Sequence, residues 1–139
     1  MHNAQLAAHK NEFEVNYLNM KEDKDNVIVQ KSKAFAIRCV NLYKYLVETK
    51  KEYVMSKQLL RCGTSIGANV KEAMRGQSKA DFGMKMNIAL KEANESEYWL
   101  EILQETEYMT AEQSDSMLSD CREILKLLTS IVKTTFINK

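Results

Sequence analysis

The sequence contains no proline and only four glycines among its 139 residues. Turns in all-β and α/β domains draw on both residues, because proline fixes φ and glycine tolerates conformations that other residues avoid. Their scarcity argues against those fold classes and favours long helices joined by few loops. The length suits one domain, and 45% hydrophobic with 28% charged residues is an ordinary globular composition.

Histidine is also scarce, since the two histidines, His2 and His9, both fall within the first 26 residues. A di-iron helical bundle needs a Glu-x-x-His motif on two helices, and the sequence has none. It also has no glycine-rich phosphate loop, no Ser-His-Asp set and no zinc-binding spacing. Glu72, Glu92 and Glu95 could gather as carboxylates, but without histidine they are a weak metal signal. We expect no enzymatic activity, no bound metal and no cofactor.

The three cysteines, Cys39, Cys62 and Cys121, form no CxxC pair, and each lies in a segment with helical apolar periodicity. We therefore expect free, buried thiols, as in a reducing cytosol. No N-terminal stretch has the apolar core of a signal peptide, and no apolar run approaches the roughly 20 residues that span a bilayer. The expected location is the cytoplasm, without membrane contact.

Four segments with apolar residues at helical spacing follow an N-terminal arm of residues 1–26. Within the arm, Leu6, Phe13 and Tyr17 have similar spacing, so part of it could be helical. The links between the four segments are short, and short links force neighbouring helices to run antiparallel. The sequence therefore predicts an all-α, antiparallel up-down-up-down four-helix bundle over residues 27–139. The predicted helices run from about 27 to 51, 56 to 75, 78 to 107 and 111 to 136.

Polar residues mark the expected ends of these helices. Ser56, Ser78 and Thr110 are the expected N-caps, because a hydroxyl oxygen can accept a hydrogen bond from an unpaired amide of the first turn. Ser78 with Asp81 three positions later resembles a capping box. Gly76 is expected to follow the second helix with positive φ, which glycine adopts without strain.

Charge is segregated along the chain, although the net charge is only +1. Residues 27–76 hold ten basic and three acidic residues, whereas residues 77–107 hold three basic and seven acidic ones. A basic face could bind phosphates, or it could pair with an acidic face of a neighbouring subunit. The third alternative is a solvated surface that is balanced within one chain. The basic stripe of the second helix consists of Lys57, Arg61, Lys71 and Arg75.

Small residues interrupt the second predicted helix, where Gly63 and Gly67 lie about one turn apart. Each glycine lowers helix stability by about 1 kcal/mol relative to alanine. Their lack of bulk lets another backbone approach, either inside the bundle or from a neighbouring subunit. The third helix has a second apolar stripe, with Ile88, Trp99 and Ile102. A wide apolar arc is expected in a bundle, but an aromatic residue beside carboxylates is also typical of interfaces. We treat these five residues as candidate interface residues of a homo-oligomer.

Asn69 lies at the edge of the apolar face of the second helix, and asparagine is costly when it is buried without a partner. We expect it to bond a side chain or the backbone across the bundle. With Glu72 nearby, it would form a polar latch that fixes helix register. A contact with a ligand or partner is the alternative.

Residues 64–82, TSIGANVKEAMRGQSKADF, resemble the four-helix-bundle family encoded in intervening sequences of bacterial 23S ribosomal RNA genes. The family pattern is roughly Ser-Ile-x-x-Asn-Ile/Val-x-Glu-Gly/Ala, followed by Arg, Ser and an aromatic residue. The resemblance covers about residues 27–137, with Gly67 where many members carry proline and Ala73 where many carry glycine. The matching residues are Ser65, Ile66, Asn69, Val70, Glu72, Ala73, Arg75, Ser78 and Phe82.

The resemblance implies a four-helix bundle that assembles as a ring, a homopentamer, in which Ser65, Asn69 and Glu72 form a structural motif. Relatives include accessory proteins of diversity-generating retroelements, which look like basic barrels that bind RNA and a reverse transcriptase. The alternative is a protein-interaction scaffold that binds no nucleic acid. If RNA binding carries over, the phosphate-facing candidates are Lys57, Arg61, Lys71 and Arg75, helped by Lys31, Arg38 and Lys44.

Overall fold

The computed structural model describes residues 26–136, which form four α-helices and contain no strand. The predicted helices are confirmed, and their ends lie within about three residues of the predicted ones. The predicted arm lies outside the described residues except for Asn26, as do both histidines and the apolar residues of the arm. The helices are α1 (Val27–Glu48), α2 (Met55–Met74), α3 (Lys79–Glu105) and α4 (Ala111–Phe136).

Each helix packs extensively against the next one along the chain, and α1 closes the bundle against α4 through a smaller contact. The links between helices are short, as predicted, so consecutive helices run antiparallel. The architecture is the expected up-down-up-down four-helix bundle. None of the four helices is both long enough and apolar enough to cross a membrane.

The core consists of the apolar stripes that helical spacing predicts. On α3, for example, Phe82, Met86 and Leu100 are at most 1% exposed. Burying a large apolar side chain contributes about 1.5–3 kcal/mol, so these stripes are the main source of stability. Leu42 of α1 and Ile131 of α4 are only half-buried, because they lie at the edges of their stripes.

Two of the predicted N-caps are confirmed. Ser78 Oγ accepts a hydrogen bond from the Asp81 amide at 3.1 Å. Thr110 Oγ1 accepts from the Gln113 amide at 3.1 Å, and Gln113 Oε1 accepts from the Thr110 amide at 3.0 Å. The second pair is a reciprocal capping box, which satisfies two amides at the start of α4.

Two predictions about helix ends are wrong. Ser56 is not an N-cap, because α2 begins at Met55 and the carboxylate of Glu52 bonds the amides of its first turn. Gly76 does not take positive φ. The α2 helix ends instead in a tight turn, in which the Gly76 amide donates to the Ala73 carbonyl at 3.0 Å, and such a turn needs no left-handed residue.

Within residues 26–136, two residues other than glycine take positive φ, Lys51 (55°) and Glu107 (66°). They follow the C-terminal ends of α1 and α3, where a left-handed residue lets the chain reverse. A left-handed residue with a β-carbon costs about 1–2 kcal/mol. Neither residue was predicted from the sequence, because lysine and glutamate are not typical of this conformation. Asn26 was predicted to belong to the arm, but it caps α1, because its Oδ1 accepts from the Ile28 amide at 3.0 Å.

Candidate nucleic-acid interface

Arg61, a predicted phosphate contact, faces α3 of its own chain. Its Nη2 lies 2.6 Å from Glu95 Oε2, and its Nη1 lies 3.4 Å from Glu92 Oε2. The indole nitrogen of Trp99 donates to the same Glu95 oxygen at 3.0 Å. The hydrogen bond from Trp99 and the pairing with Arg61 together lower the pKa of Glu95. Arg61 would have to leave two carboxylates in order to contact a phosphate.

Arg38 and Lys31 are partly exposed, and both pair with carboxylates of α4. The Arg38 guanidinium lies 2.5 Å from Asp120 and also donates to Ser116 Oγ at 2.9 Å. Lys31 Nζ lies 2.8 Å from Glu123 Oε1. Partly exposed pairs of this kind contribute about 0–1 kcal/mol each. Three of the seven predicted basic residues therefore have a carboxylate partner within the chain.

The other four predicted residues, Lys44, Lys57, Lys71 and Arg75, are exposed and form no ion pair with any described residue. Lys33 on α1 and Lys50 and Lys51 in the α1–α2 loop share both properties, although sequence analysis did not single them out. We call these seven residues the basic face. By helical periodicity Lys33 and Lys44 share the outward line of α1, and Lys57, Lys71 and Arg75 share that of α2.

Acidic residues leave the basic face largely uncompensated. The α1–α2 hairpin has three, Glu48, Glu52 and Glu72. Glu72 lies 3.6 Å from Lys85 of α3, and Glu52 is bound to backbone amides. Of these three, only Glu48 neither pairs with a basic side chain nor accepts from the amides of a helix start among the described residues. Hydrogen bonds to neutral amides leave the charge of Glu52 in place, so Glu48 and Glu52 stand against the seven residues of the basic face. The charge segregation seen in the sequence therefore persists as a surface of net positive charge.

Glu72, Glu92 and Glu95 do not gather into one carboxylate cluster. Each lies opposite a basic side chain of the same chain, Lys85 for Glu72 and Arg61 for the other two. Among the residues that the structure describes, no group of three or more histidine, cysteine, aspartate or glutamate side chains could hold a metal ion.

Gly63 and Gly67 both face α1 of the same chain. A β-carbon on residue 63 would overlap Cys39 Sγ. A β-carbon on residue 67 would lie 3.3 Å from the backbone oxygen of Ser32. Of the two alternatives for these glycines, close packing inside the bundle accounts for both.

The other interface candidates, Ile88, Trp99 and Ile102, are half-exposed along α3. Tyr98, which sequence analysis did not include, is 56% exposed and packs edge-on against Trp99, with ring centroids 5.2 Å apart. This part of α3 thus carries more apolar surface than its own bundle covers. Contact of these residues with a second copy stays a prediction.

The motif residues bond mainly within α2. Asn69 Nδ2 donates to the Ser65 carbonyl at 2.8 Å, and Ser65 Oγ donates to the Arg61 carbonyl at 2.7 Å. The prediction that Asn69 bonds across the bundle is wrong, because its half-exposed amide finds a carbonyl one turn back in its own helix. Of the three motif residues, Glu72 makes the contact between helices, with Lys85.

The prediction of free, buried cysteines is confirmed. Burial raises the pKa of Cys62 to about 11 and that of Cys121 to about 12, and it raises the pKa of Cys39 further. Ser96 Oγ donates to Cys62 Sγ at 3.2 Å. Because the thiolate is the nucleophile, these thiols are poor nucleophiles at neutral pH.

The α1–α2 loop, residues 49–54, carries a feature that sequence analysis missed. Glu52 is 7% exposed, and its Oε1 accepts from the amides of Val54 at 3.0 Å and Met55 at 2.9 Å. Its Oε2 accepts from the Ser56 amide at 2.7 Å. Burial alone would raise the pKa of this carboxyl, but the three amide bonds outweigh burial and lower the pKa. The sequence does show an acidic residue, Glu52, three positions before α2 begins. It was overlooked because the nearby Ser56 fits an N-cap equally well.

The chain is similar to proteins of one described family. A family model described as 23S rRNA-intervening sequence protein matches residues 24–130, which take in α1, α2, α3 and most of α4. A solved structure of a protein of unknown function from the S23 ribosomal protein family of Bacteroides thetaiotaomicron is 64% identical, with a TM-score of 0.77. That similarity covers 78% of this chain and 100% of the other. No curated protein matches. The chain therefore belongs to the family of 23S rRNA-intervening sequence proteins.

Proposed function

We propose that this protein is a non-enzymatic, oligomeric scaffold that binds RNA, or an RNA–protein complex, through the basic face of the α1–α2 hairpin. The observation that carries the proposal is that the α1–α2 hairpin holds seven basic side chains that form no ion pair with described residues. A lysine without a carboxylate partner can neutralise a phosphate without first breaking an ion pair. Such contacts release counterions, so binding is expected to weaken as salt rises.

Fewer of the basic residues predicted from the sequence remain candidates for phosphate contact, because three of them pair with carboxylates of the same chain. Lys44, Lys57, Lys71 and Arg75 remain candidates, whereas Lys31, Arg38 and Arg61 serve mainly to join helices. Removing one phosphate-binding lysine should weaken binding about equally for all RNA sequences and reduce the salt slope by about one. The expected affinity is therefore moderate and depends little on base sequence.

The test compares two double charge reversals. Lys57→Glu/Lys71→Glu changes the basic face, and Lys126→Glu/Lys133→Glu changes the exposed side of α4 by the same net charge. Lys71 and Lys133 both lie in the last turn of their helices, so the helix-dipole effect of these two replacements is matched. Lys57→Glu lies in the first turn of α2, where the dipole favours a negative charge, so loss of binding in that variant would not come from a weakened helix start. Binding of a short structured RNA is measured by fluorescence anisotropy at low and moderate salt. We expect the first variant to raise the Kd at least about tenfold, and the control to change it by less than about threefold. Equal effects of the two variants would refute the basic face.

We also propose that the scaffold is a homo-oligomer, and the family resemblance implies five copies. The apolar surface of Ile88, Trp99, Tyr98 and Ile102 on α3 supports this, because aromatic and aliphatic side chains are typical of interface cores. Light scattering of the parent protein should give five times the chain mass of 16.0 kDa. The double variant Ile88→Asp/Ile102→Asp should reduce the mass, and a parent protein that runs as a monomer would refute assembly.

The same surface favours a second candidate function, a protein-interaction scaffold without RNA. Met84 and Tyr98 of α3 are 55% and 56% exposed, and both can contribute apolar contact to a partner. Binding through such a surface depends little on salt, in contrast to binding through the basic face. Assembly through this surface would cover it, so a parent protein that stays monomeric and shows no RNA binding at low salt would favour this second candidate.

A further inference from the structure

The α1–α2 loop presents two adjacent side chains to solvent. Tyr53 is 57% exposed and Val54 is 71% exposed, the two highest values among the large hydrophobic side chains in residues 26–136. Both belong to a link of six residues between two long, well-packed helices. Two adjacent apolar side chains on so short a link give a partner a contact surface at this end of the bundle.

The loop holds these side chains on a fixed backbone. The buried carboxylate of Glu52 bonds the amides of Val54, Met55 and Ser56, and Ser56 Oγ donates back to the Glu52 carbonyl at 2.8 Å. The backbone of Glu52 is also tied to α1, because its amide donates to the Leu46 carbonyl at 2.9 Å. Tyr53 therefore lies between two residues whose backbone amides are hydrogen-bonded, so contact with its ring costs little further backbone entropy.

Positive charge surrounds the exposed ring in sequence. Lys50 and Lys51 precede Glu52, and Lys57 lies in the first turn of α2. All three are exposed and form no ion pair with a described residue. Lys51 also takes the left-handed conformation at φ 55°. Glu52 lies among these lysines in sequence and keeps its negative charge while it accepts from backbone amides. Three lysines against one carboxylate still leave residues 50–57 with a net positive charge.

We propose that Tyr53 is a stacking platform for an unpaired base of single-stranded RNA, and that Lys50, Lys51 and Lys57 bind the neighbouring phosphates. This inference rests on the proposed function and adds the class of RNA. An exposed aromatic ring beside basic side chains is the arrangement by which proteins bind single strands, because every base has a π-face and every nucleotide a phosphate. A duplex keeps its bases stacked inside, so Tyr53 would gain nothing from it.

The experiment uses the full chain and two fluorescein-labelled probes, an oligouridylate of about 12 nucleotides and an RNA duplex of similar length. Tyr53→Ala is compared with Tyr53→Phe and with Phe136→Ala, which removes an exposed aromatic side chain of α4 that belongs neither to the basic face nor to the proposed interface. We expect Tyr53→Ala to raise the Kd for the single strand about tenfold and the Kd for the duplex by less than about twofold. Tyr53→Phe, which keeps the ring, should bind within about twofold of the parent. Circular dichroism checks that each variant is folded.

The outcomes separate this inference from the proposed function. If Tyr53→Ala binds the oligouridylate as the parent does, while Lys57→Glu/Lys71→Glu weakens both probes, stacking is refuted and the basic face stands. Equal losses for Tyr53→Ala and Phe136→Ala, or for both probes, also refute stacking. If the parent binds neither probe at about 50 mM salt, both proposals fail. A selective loss of single-strand binding that Tyr53→Phe restores supports stacking.

Discussion

Gly63 of α2 lies directly against Cys39 of α1. A β-carbon on residue 63 would overlap Cys39 Sγ and lie 3.2 Å from Cys39 Cβ. The sulfur thus fills the space that the missing side chain leaves, which explains why a residue unfavourable in helices occurs in the middle of α2.

Gly63→Ala should therefore destabilise the fold. We expect the free energy of unfolding to fall by about 1–3 kcal/mol through overpacking, despite the gain of about 1 kcal/mol in helix propensity. Adding Cys39→Ala should recover part of the loss, because it removes the overlapping sulfur. Urea denaturation of the two single variants and the double variant measures this coupling, and strictly additive effects would contradict the contact.

Glu52→Gln should weaken the start of α2. The amide bonds hold the pKa of the Glu52 carboxyl below its ordinary value of about 4.3, so the ionised form stabilises the fold above that pH. This contribution is lost as the pH falls through the lowered pKa. We expect a loss of about 1–2 kcal/mol at pH 7 that shrinks in acid. Glu48→Gln, an exposed control, should change stability by less than about 0.5 kcal/mol. A Glu52→Gln effect that does not depend on pH would contradict this account.

Arg61→Gln should affect RNA binding less than Lys71→Gln. Arg61 is held by Glu92 and Glu95, whereas Lys71 forms no ion pair with any residue that the structure describes. We expect Lys71→Gln to raise the Kd about two- to fivefold, and Arg61→Gln by less than about twofold. Anisotropy titrations at two salt concentrations check this. A larger effect from Arg61→Gln would show that the ion pairs with α3 open on binding.

The buried thiols should make stability fall in mild alkali. Burial raises the pKa of Cys121 to about 12, whereas an unfolded thiol ionises near 8.5. Above about pH 8.5 the unfolded chain releases protons that the folded chain keeps, so stability is full below that pH and declines above it. In Cys121→Ala the decline between about pH 8.5 and 9.5 should be shallower by up to about 1.4 kcal/mol per pH unit. An unchanged slope would contradict the burial of this thiol.

The core was predictable, because the helical spacing of apolar residues such as Phe82 and Leu100 is enough to predict that they are buried. The partners of Arg61 and Arg38 were not, because they depend on how far each helix is rotated toward its neighbour, and one helical wheel cannot supply that. The prediction for Asn69 was wrong because a polar amide at the edge of an apolar face suggested a partner on another helix. The carbonyl of Ser65, four residues back in the same helix, accepts its hydrogen bond instead. Tyr53 escaped notice because no periodicity covers a loop.

The order in which the helices pack has a consequence for how the chain folds. The three extensive contacts join helices that are consecutive in sequence, and a smaller one joins the first helix to the last. Chains dominated by contacts between neighbouring segments close short loops and fold within microseconds to milliseconds. Each helical hairpin can therefore assemble from the segment that a ribosome has just released, and the seam between α1 and α4 can form only after the fourth helix has emerged.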